Sequence, residues 1–132
     1  MILLDTDAMI DVLRQFPPAI AWLWSLGDEE IALPGYVVME LLDGEPNKEA
    51  MARVQRALTP YDVYWPMADD CDRALALFSR LKLSHGLGPF DALIAETAKG
   101  LGVPLQTFNL RHDSHVPGLK AVRLYARAAH VE

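Results

Sequence analysis

The stretch MILLDTDAMIDVL, Met1–Leu13, runs an apolar segment directly into two acids, Asp5 and Asp7. Met1–Leu4 carries only apolar side chains and is predicted to form a buried strand. Met9, Val12, Leu13 and Phe16 follow at i, i+3, i+4 and i+7, one helical face, which Pro17-Pro18 ends. A strand passing straight into a helix is the opening of an α/β unit. The acids sit at the junction, and the first basic residue is Arg14. Charge at the end of a core strand costs several kcal/mol unless donors or a cation compensate it.

The pattern continues along the chain. Ile20, Leu23 and Trp24 mark a second helix stopped by Gly27, and Ile31–Leu33 is a short apolar run read as a strand. Pro34 is predicted to start a helix through Val37, Val38, Leu41 and Leu42 to Gly44, with Pro at its first turn and Gly past its last. Met51, Val54 and Leu58 form a further stripe, and Asp62–Tyr64, between Pro60 and Pro66, is a short strand. Ala74, Leu77, Phe78 and Leu81 give another helix, and His85–Pro89 is a break. A helix from about Phe90 to Leu101 follows, then strands over Val103–Phe108 and Ala121–Leu124 joined by a polar loop ending Pro117-Gly118. Strands alternating with helices predict an α/β fold with a central parallel sheet of about four to five strands, flanked by helices on both faces. Ligands in such sheets bind beyond the carboxyl ends of the strands, near the switch in strand order. Asp5 and Asn109 both fall there.

Bulk properties narrow the function. A length of 132 residues fits one domain, residues 1–132. With 52% hydrophobic and 23% charged residues the chain is globular rather than disordered. The lone Cys71 excludes an internal disulfide and suits a reducing compartment. No apolar run approaches the ~18 residues of a membrane span, and no cationic leader precedes Asp5, so a cytoplasmic protein is expected. The net charge of −6 cannot draw the whole molecule onto nucleic acid. A nucleic-acid role therefore requires a local basic rim or bound cations.

Three carboxylates stand out because their local sequence offers no cation. Asp5 lies between Leu4 and Thr6; Glu40 has Tyr36, Val37, Asp43 and Gly44 one turn away; Asp91 has Leu87, Gly88, Ile94 and Ala95. If the three converge, the simplest compensation is a divalent metal held by hard oxygens. Each also has a plainer reading: Thr6 or Asp7 caps the first helix, Asp91 caps the helix after Pro89, and Glu40 faces solvent.

Four motifs then resemble the PIN-domain family, specifically the VapC-type toxin ribonucleases of prokaryotic toxin–antitoxin pairs. They are LLDTD at Leu3–Asp7, VVMELLDG at Val37–Gly44, PFDALIAETA at Pro89–Ala98 and TFNLRHDSHVPGL at Thr107–Leu119, in the family's order. The resemblance implies a Mg²⁺ or Mn²⁺ site built by Asp5, Glu40 and Asp91, and hydrolysis of RNA phosphodiesters. The fourth position, often acidic in the family, is Asn109 here, which adds no charge and weakens the case for a second metal. Asp113 lies one step beyond the place where many relatives carry an acid, which His112 fills; it is a candidate supporting residue that could partly substitute, beside the plainer reading of a solvated loop acid. Asp7 and Thr107 are supporting residues, and Arg111, His112 and Lys82 are candidates for a phosphate-facing rim. His85, His115 and His130 are read as surface residues, and Trp22, Trp24 and Trp65 as core or interface residues rather than base-stacking platforms. The resemblance further implies an RNA substrate, a VapB-like antitoxin lying in a groove formed by the helices after Phe16 and Glu45, and a homodimer.

Three rivals share some of these features. A haloacid-dehalogenase-like phosphatase also ends a strand in Asp-x-Asp, but Met9 stands where a Thr or Val is expected. A PIN fold that has lost catalysis would suit Asn109. A PIN nuclease of RNA maturation, outside any toxin pair, shares every motif.

Overall fold

A computed structural model describes residues 1–126; His130 lies outside them. Strand β1 (Ile2–Leu4) leads into α1 (Thr6–Leu13) and α2 (Pro17–Ser25), then β2 (Ile31–Pro34), α3 (Gly35–Asp43) and α4 (Lys48–Leu58). Strand β3 (Asp62–Tyr64) precedes the long α5 (Ala68–His85) and α6 (Pro89–Leu101). The chain returns through β4 (Leu105–Gln106), a one-turn α7 (Leu110–Asp113) and β5 (Ala121–Val122). All pairings are parallel, in the order β3-β2-β1-β4-β5. The chain builds outward from β1 to β3, then crosses back to lay β4 on the other side of β1. The switch in strand order thus falls between β1 and β4, beneath Asp5 and Thr107.

The strands are short and apolar because both faces are covered. Leu3, Leu4 and Leu33 are fully buried, and α1 adds Ala8, Met9 and Val12 to the same core. A second apolar cluster joins α5 to α6 through Ala74, Leu77, Leu81, Ala92 and Ala95. Helix ends match the chain's punctuation. Gly86 and Gly102, both at φ 70°, close α5 and α6 in the left-handed region that glycine alone enters freely.

The boundaries depart from expectation in three places. Pro34 ends β2 rather than starting α3. The last two strands are only two residues long each, although the Thr107 N–H still donates to Val122 O at 2.9 Å. The loop between them contains α7.

The α5–α6 contact holds a buried ionic cluster that sequence patterning did not pick out. Glu96 is 1% exposed and accepts from Arg73 Nε at 3.2 Å and Lys99 Nζ at 3.0 Å. Arg73 also pairs with Asp70, whose other oxygen accepts the Met67 N–H at 2.8 Å. Gly100 lies against this cluster: a Cβ there would stand 2.5–2.8 Å from the Asp70 carboxylate. Alanine normally improves a helix interior by up to ~1 kcal/mol over glycine. Here Gly100→Ala is expected to destabilise by roughly 1–3 kcal/mol, because the Asp70 carboxylate must shift against its bonds to the Met67 N–H and Arg73. The urea midpoint reads this directly, and a raised midpoint would refute the tight packing.

Candidate functional site

Asp5, Thr6, Asp7, Glu40, Asp91, Phe108 and Asn109 line one cavity of about 310 Å³ at the carboxyl edge of the sheet. Four segments far apart in sequence meet there, and among the described residues no lysine or arginine is in the lining. The three isolated acids therefore share a wall.

Each acid is fixed by specific donors. Asp5 continues the β1 ladder through its N–H to Gln106 O, 2.9 Å. Its Oδ1 accepts the Thr6 N–H at 2.8 Å, making Asp5 itself the N-cap of α1, where Thr6 or Asp7 was expected. Its Oδ2 accepts the Thr107 hydroxyl at 2.9 Å, and that hydroxyl in turn accepts the Asn109 N–H at 2.9 Å. Thr107, fully buried, thus joins β1 to the β4–α7 turn. Asp7 accepts the Ala8 N–H at 2.7 Å and the Phe108 N–H at 3.2 Å, tying α1 to the same turn. The Thr6 hydroxyl donates to Glu40 Oε1 at 2.6 Å, across 34 residues of sequence. Glu40 is therefore held at the cavity rather than left to solvent. Asp91 does cap its helix, accepting the Gly88 N–H at 2.9 Å, and still lines the cavity. Capping and a functional role are not exclusive here. Thr6 went unrecognised as a site residue; its signal was a hydroxyl between two acids.

The electrostatics are strained. Burial, then the charges of Asp7 and Asp113, push the Asp5 carboxyl up to about 8, against the lowering effect of its bonds to Thr6 and Thr107. Asp113 departs from the sequence reading. It is 2% exposed rather than a solvated loop acid, because α7 turns its last residue inward behind Thr107. Its Oδ2 is buried with no hydrogen-bond partner among the described residues. Burial, then the charge of Asp91, raise it to about 7. Among the described residues no ion pair reaches it.

The candidate rim is less complete. Arg111 and Lys82 are exposed, and neither they nor His112 line the cavity. His112 is half-buried, with Nδ1 unpartnered. His85 and His115 are exposed as expected, with ring centroids 4.0 Å apart. Trp22 packs partly into the core, whereas Trp24 and Trp65 are exposed.

The donors are the hard oxygens that Mg²⁺ and Mn²⁺ favour, and a buried, unpartnered Asp113 oxygen behind them fits a site that expects positive charge. Among the described residues no three carboxylate, imidazole or thiol groups converge closely enough to hold an ion directly. Asp5, Glu40 and Asp91 share a cavity without forming a tight triad. That spacing suits an ion that keeps several of its waters, as Mg²⁺ does.

A PIN domain family model matches residues 2–115. The fold is similar to a toxin–antitoxin complex from Klebsiella pneumoniae (TM-score 0.76, 25% identity, covering 95% of this chain and 98% of that one). It is likewise similar to VapBC-1 from nontypeable Haemophilus influenzae (TM-score 0.76, 26% identity, 94% and 98% covered). VapBC2 from Rickettsia felis, bound to a promoter DNA fragment, shares the fold at 23% identity (TM-score 0.78, 93% and 98% covered). Nothing matches among curated proteins.

Proposed function

The chain belongs to the PIN-domain family, and we propose that it is a Mg²⁺- or Mn²⁺-dependent endoribonuclease, the toxin of a type II toxin–antitoxin pair. The whole chain, 1–132, is taken as that one domain, acting in the cytoplasm. The observation that carries this reading is a cavity with Asp5, Glu40, Asp91 and Asn109 in its wall and, among the described residues, no cationic side chain lining it.

Asp5, Glu40 and Asp91 would hold the cation, partly through its waters. A divalent cation there supplies a Lewis acid for a phosphate oxygen, a more acidic water and charge neutralisation at the leaving oxygen. The chain's own residues do the positioning. Thr107 directs Asp5 through its Oδ2, and Thr6 directs Glu40. Gly88 locks Asp91, and Asp7 fixes the turn that carries Asn109. Asn109 can bond a water or a phosphate oxygen without adding negative charge, which favours a single cation.

The partner is read as a VapB-like antitoxin with an apolar stripe and a basic side chain. A second cavity of about 410 Å³ supports this, its lining combining Ile10, Leu13, Leu41 and Val54 with the charged Arg14, Glu40 and Glu45. It lies between α1, α3 and α4. Val54 of α4 is in the lining, while α2 is not. A basic residue on a helix laid there would reach the acids from Glu40's side. A homodimer completes the reading, since an acidic monomer needs help to form a basic RNA path.

The test is cleavage of an end-labelled single-stranded RNA with Mg²⁺, with Mn²⁺ and with EDTA. Cleavage is expected with either metal, none with EDTA, and suppression by the product of a neighbouring small antitoxin gene. Binding of RNA without cleavage under any metal would instead establish a fold that has lost catalysis.

A further inference from the structure

Trp65 follows β3 at the carboxyl edge of the sheet and is 54% exposed, an unusual position for so large an apolar group. It is nevertheless well seated. A Cβ on Gly35 would lie 2.4–2.5 Å from three atoms of the indole, Cδ2, Cε2 and Cε3, so the ring lies face-on against bare glycine backbone. Tyr36 meets the indole nearly edge-on, with centroids 5.4 Å apart and planes at 75°. Phe90 continues the row, 5.3 Å from Tyr36 and 37% exposed. One indole face is thus covered and the ring is fixed in orientation, leaving the other face open.

The row leads to the acidic cavity. Phe90 directly precedes Asp91, and Tyr36 lies one turn before Glu40 on α3; both acids line the cavity. Trp65 sits two strands from β1, roughly 10 Å across the sheet edge. That is a short reach for a nucleic-acid strand. A rigid aromatic face beside a phosphate-cleaving site offers sequence-tolerant binding to unpaired bases, which an acidic protein with few local cations otherwise lacks.

We propose that Trp65, seated on Gly35 and flanked by Tyr36 and Phe90, stacks an unpaired base of the single-stranded RNA whose phosphate lies in the Asp5–Glu40–Asp91 cavity. This rests on the ribonuclease reading and adds a substrate-positioning residue to it. Gly35 is required because any side chain there would lift the indole from its seat.

The experiment measures binding and cleavage separately, with the full-length protein. Binding uses a fluorescein-labelled single-stranded oligoribonucleotide in EDTA, beside a duplex of the same sequence. Trp65→Ala is expected to weaken single-strand binding roughly five- to hundredfold and to leave duplex binding unchanged. Gly35→Ala should weaken it in the same direction, and Trp65→Phe should lose least. In a Trp22→Phe/Trp24→Phe background, Trp65 is the sole tryptophan, and single-stranded RNA should quench its emission; this arm stands even if Trp65→Ala fails to fold. Unchanged affinity in Trp65→Ala, or no quenching, overturns the proposal, while metal-dependent cleavage by the wild type would leave the ribonuclease reading intact. If Trp65→Ala binds RNA normally but loses a dimeric mass by light scattering, the row is a self-association surface continuing through Met67 and Leu75. An RNA neither bound nor cleaved by the wild type overturns both readings.

Discussion

Asp5→Asn is expected to reduce metal-dependent RNA cleavage at least ~10²-fold while leaving the metal-free protein as stable as the wild type or more so. The first part follows if Asp5 helps to hold a cation that contributes several kcal/mol to the transition state. The second follows from what asparagine keeps. Its Oδ1 can still accept the Thr6 N–H, and asparagine is as good an N-cap as aspartate. Its Nδ2 can donate to the Thr107 hydroxyl, reversing the present bond without breaking it. What disappears is a carboxyl whose ionisation burial, then Asp7 and Asp113, make costly. The metal response discriminates best. A ligand that binds only the native state adds RT ln(1 + [L]/Kd), about 2.7 kcal/mol at a hundredfold excess over Kd. Wild type should therefore melt higher in Mn²⁺ than in EDTA, and Asp5→Asn should lose most of that rise. Asp91→Asn should behave alike, although its bond to Gly88 makes some loss of helix capping visible in EDTA. A purely structural Asp5 predicts the opposite: active variants with an undiminished response to metal. That result would remove the basis for the nuclease assignment.

The fold was legible in the sequence where a periodicity had one physical cause. The all-apolar Ile2–Leu4 could only be a strand buried on both faces, and glycine and proline punctuation marked the ends of α5 and α6. The convergence of Asp5, Glu40 and Asp91 was legible too, because a parallel sheet fixes where strand ends meet. What escaped depended on contacts between distant segments. Nothing local in LRHDSH tells that one turn of helix carries Asp113 inward while Arg111 stays out. Thr6 reads as a cap until Glu40 arrives from 34 residues away. Glu96 has a local cation in Lys99, three residues on, but its near-complete burial becomes understandable only once Arg73 also approaches from α5. The seat of Trp65 on Gly35 was not legible either, because that glycine lies thirty residues earlier in the chain.

The charge stored at the site sets a distinctive pH dependence. Asp5 is raised from 3.8 to about 8, chiefly by burial and then by Asp7 and Asp113; Asp113 is raised from 3.8 to about 7, chiefly by burial and then by Asp91. Between about pH 4 and pH 8 the folded protein therefore retains protons that the unfolded chain has released. Stability falls with rising pH wherever the native state binds more protons. The contribution is fully present below about pH 4 and is lost as pH climbs through the folded values of about 7 and 8. In EDTA the wild type should melt highest near the acidic end of a pH 5–8.5 series and decline by a few kcal/mol across it. Asp5→Asn removes one of the two titrations, and Asp113→Asn removes the other while lowering Asp5, so each should flatten the decline. A bound cation reverses the trend. Its ligands must be deprotonated, so the stabilisation given by Mg²⁺ should grow over the same range in which the metal-free protein weakens. Melting series with EDTA and with Mg²⁺ for the three proteins test both halves at once. A wild-type decline that both variants reproduce in full would place its origin in the general surface charge rather than in this cavity. Opposite slopes with and without the ion, converging in Asp5→Asn, would identify the acidic cavity as the place where proton and metal compete.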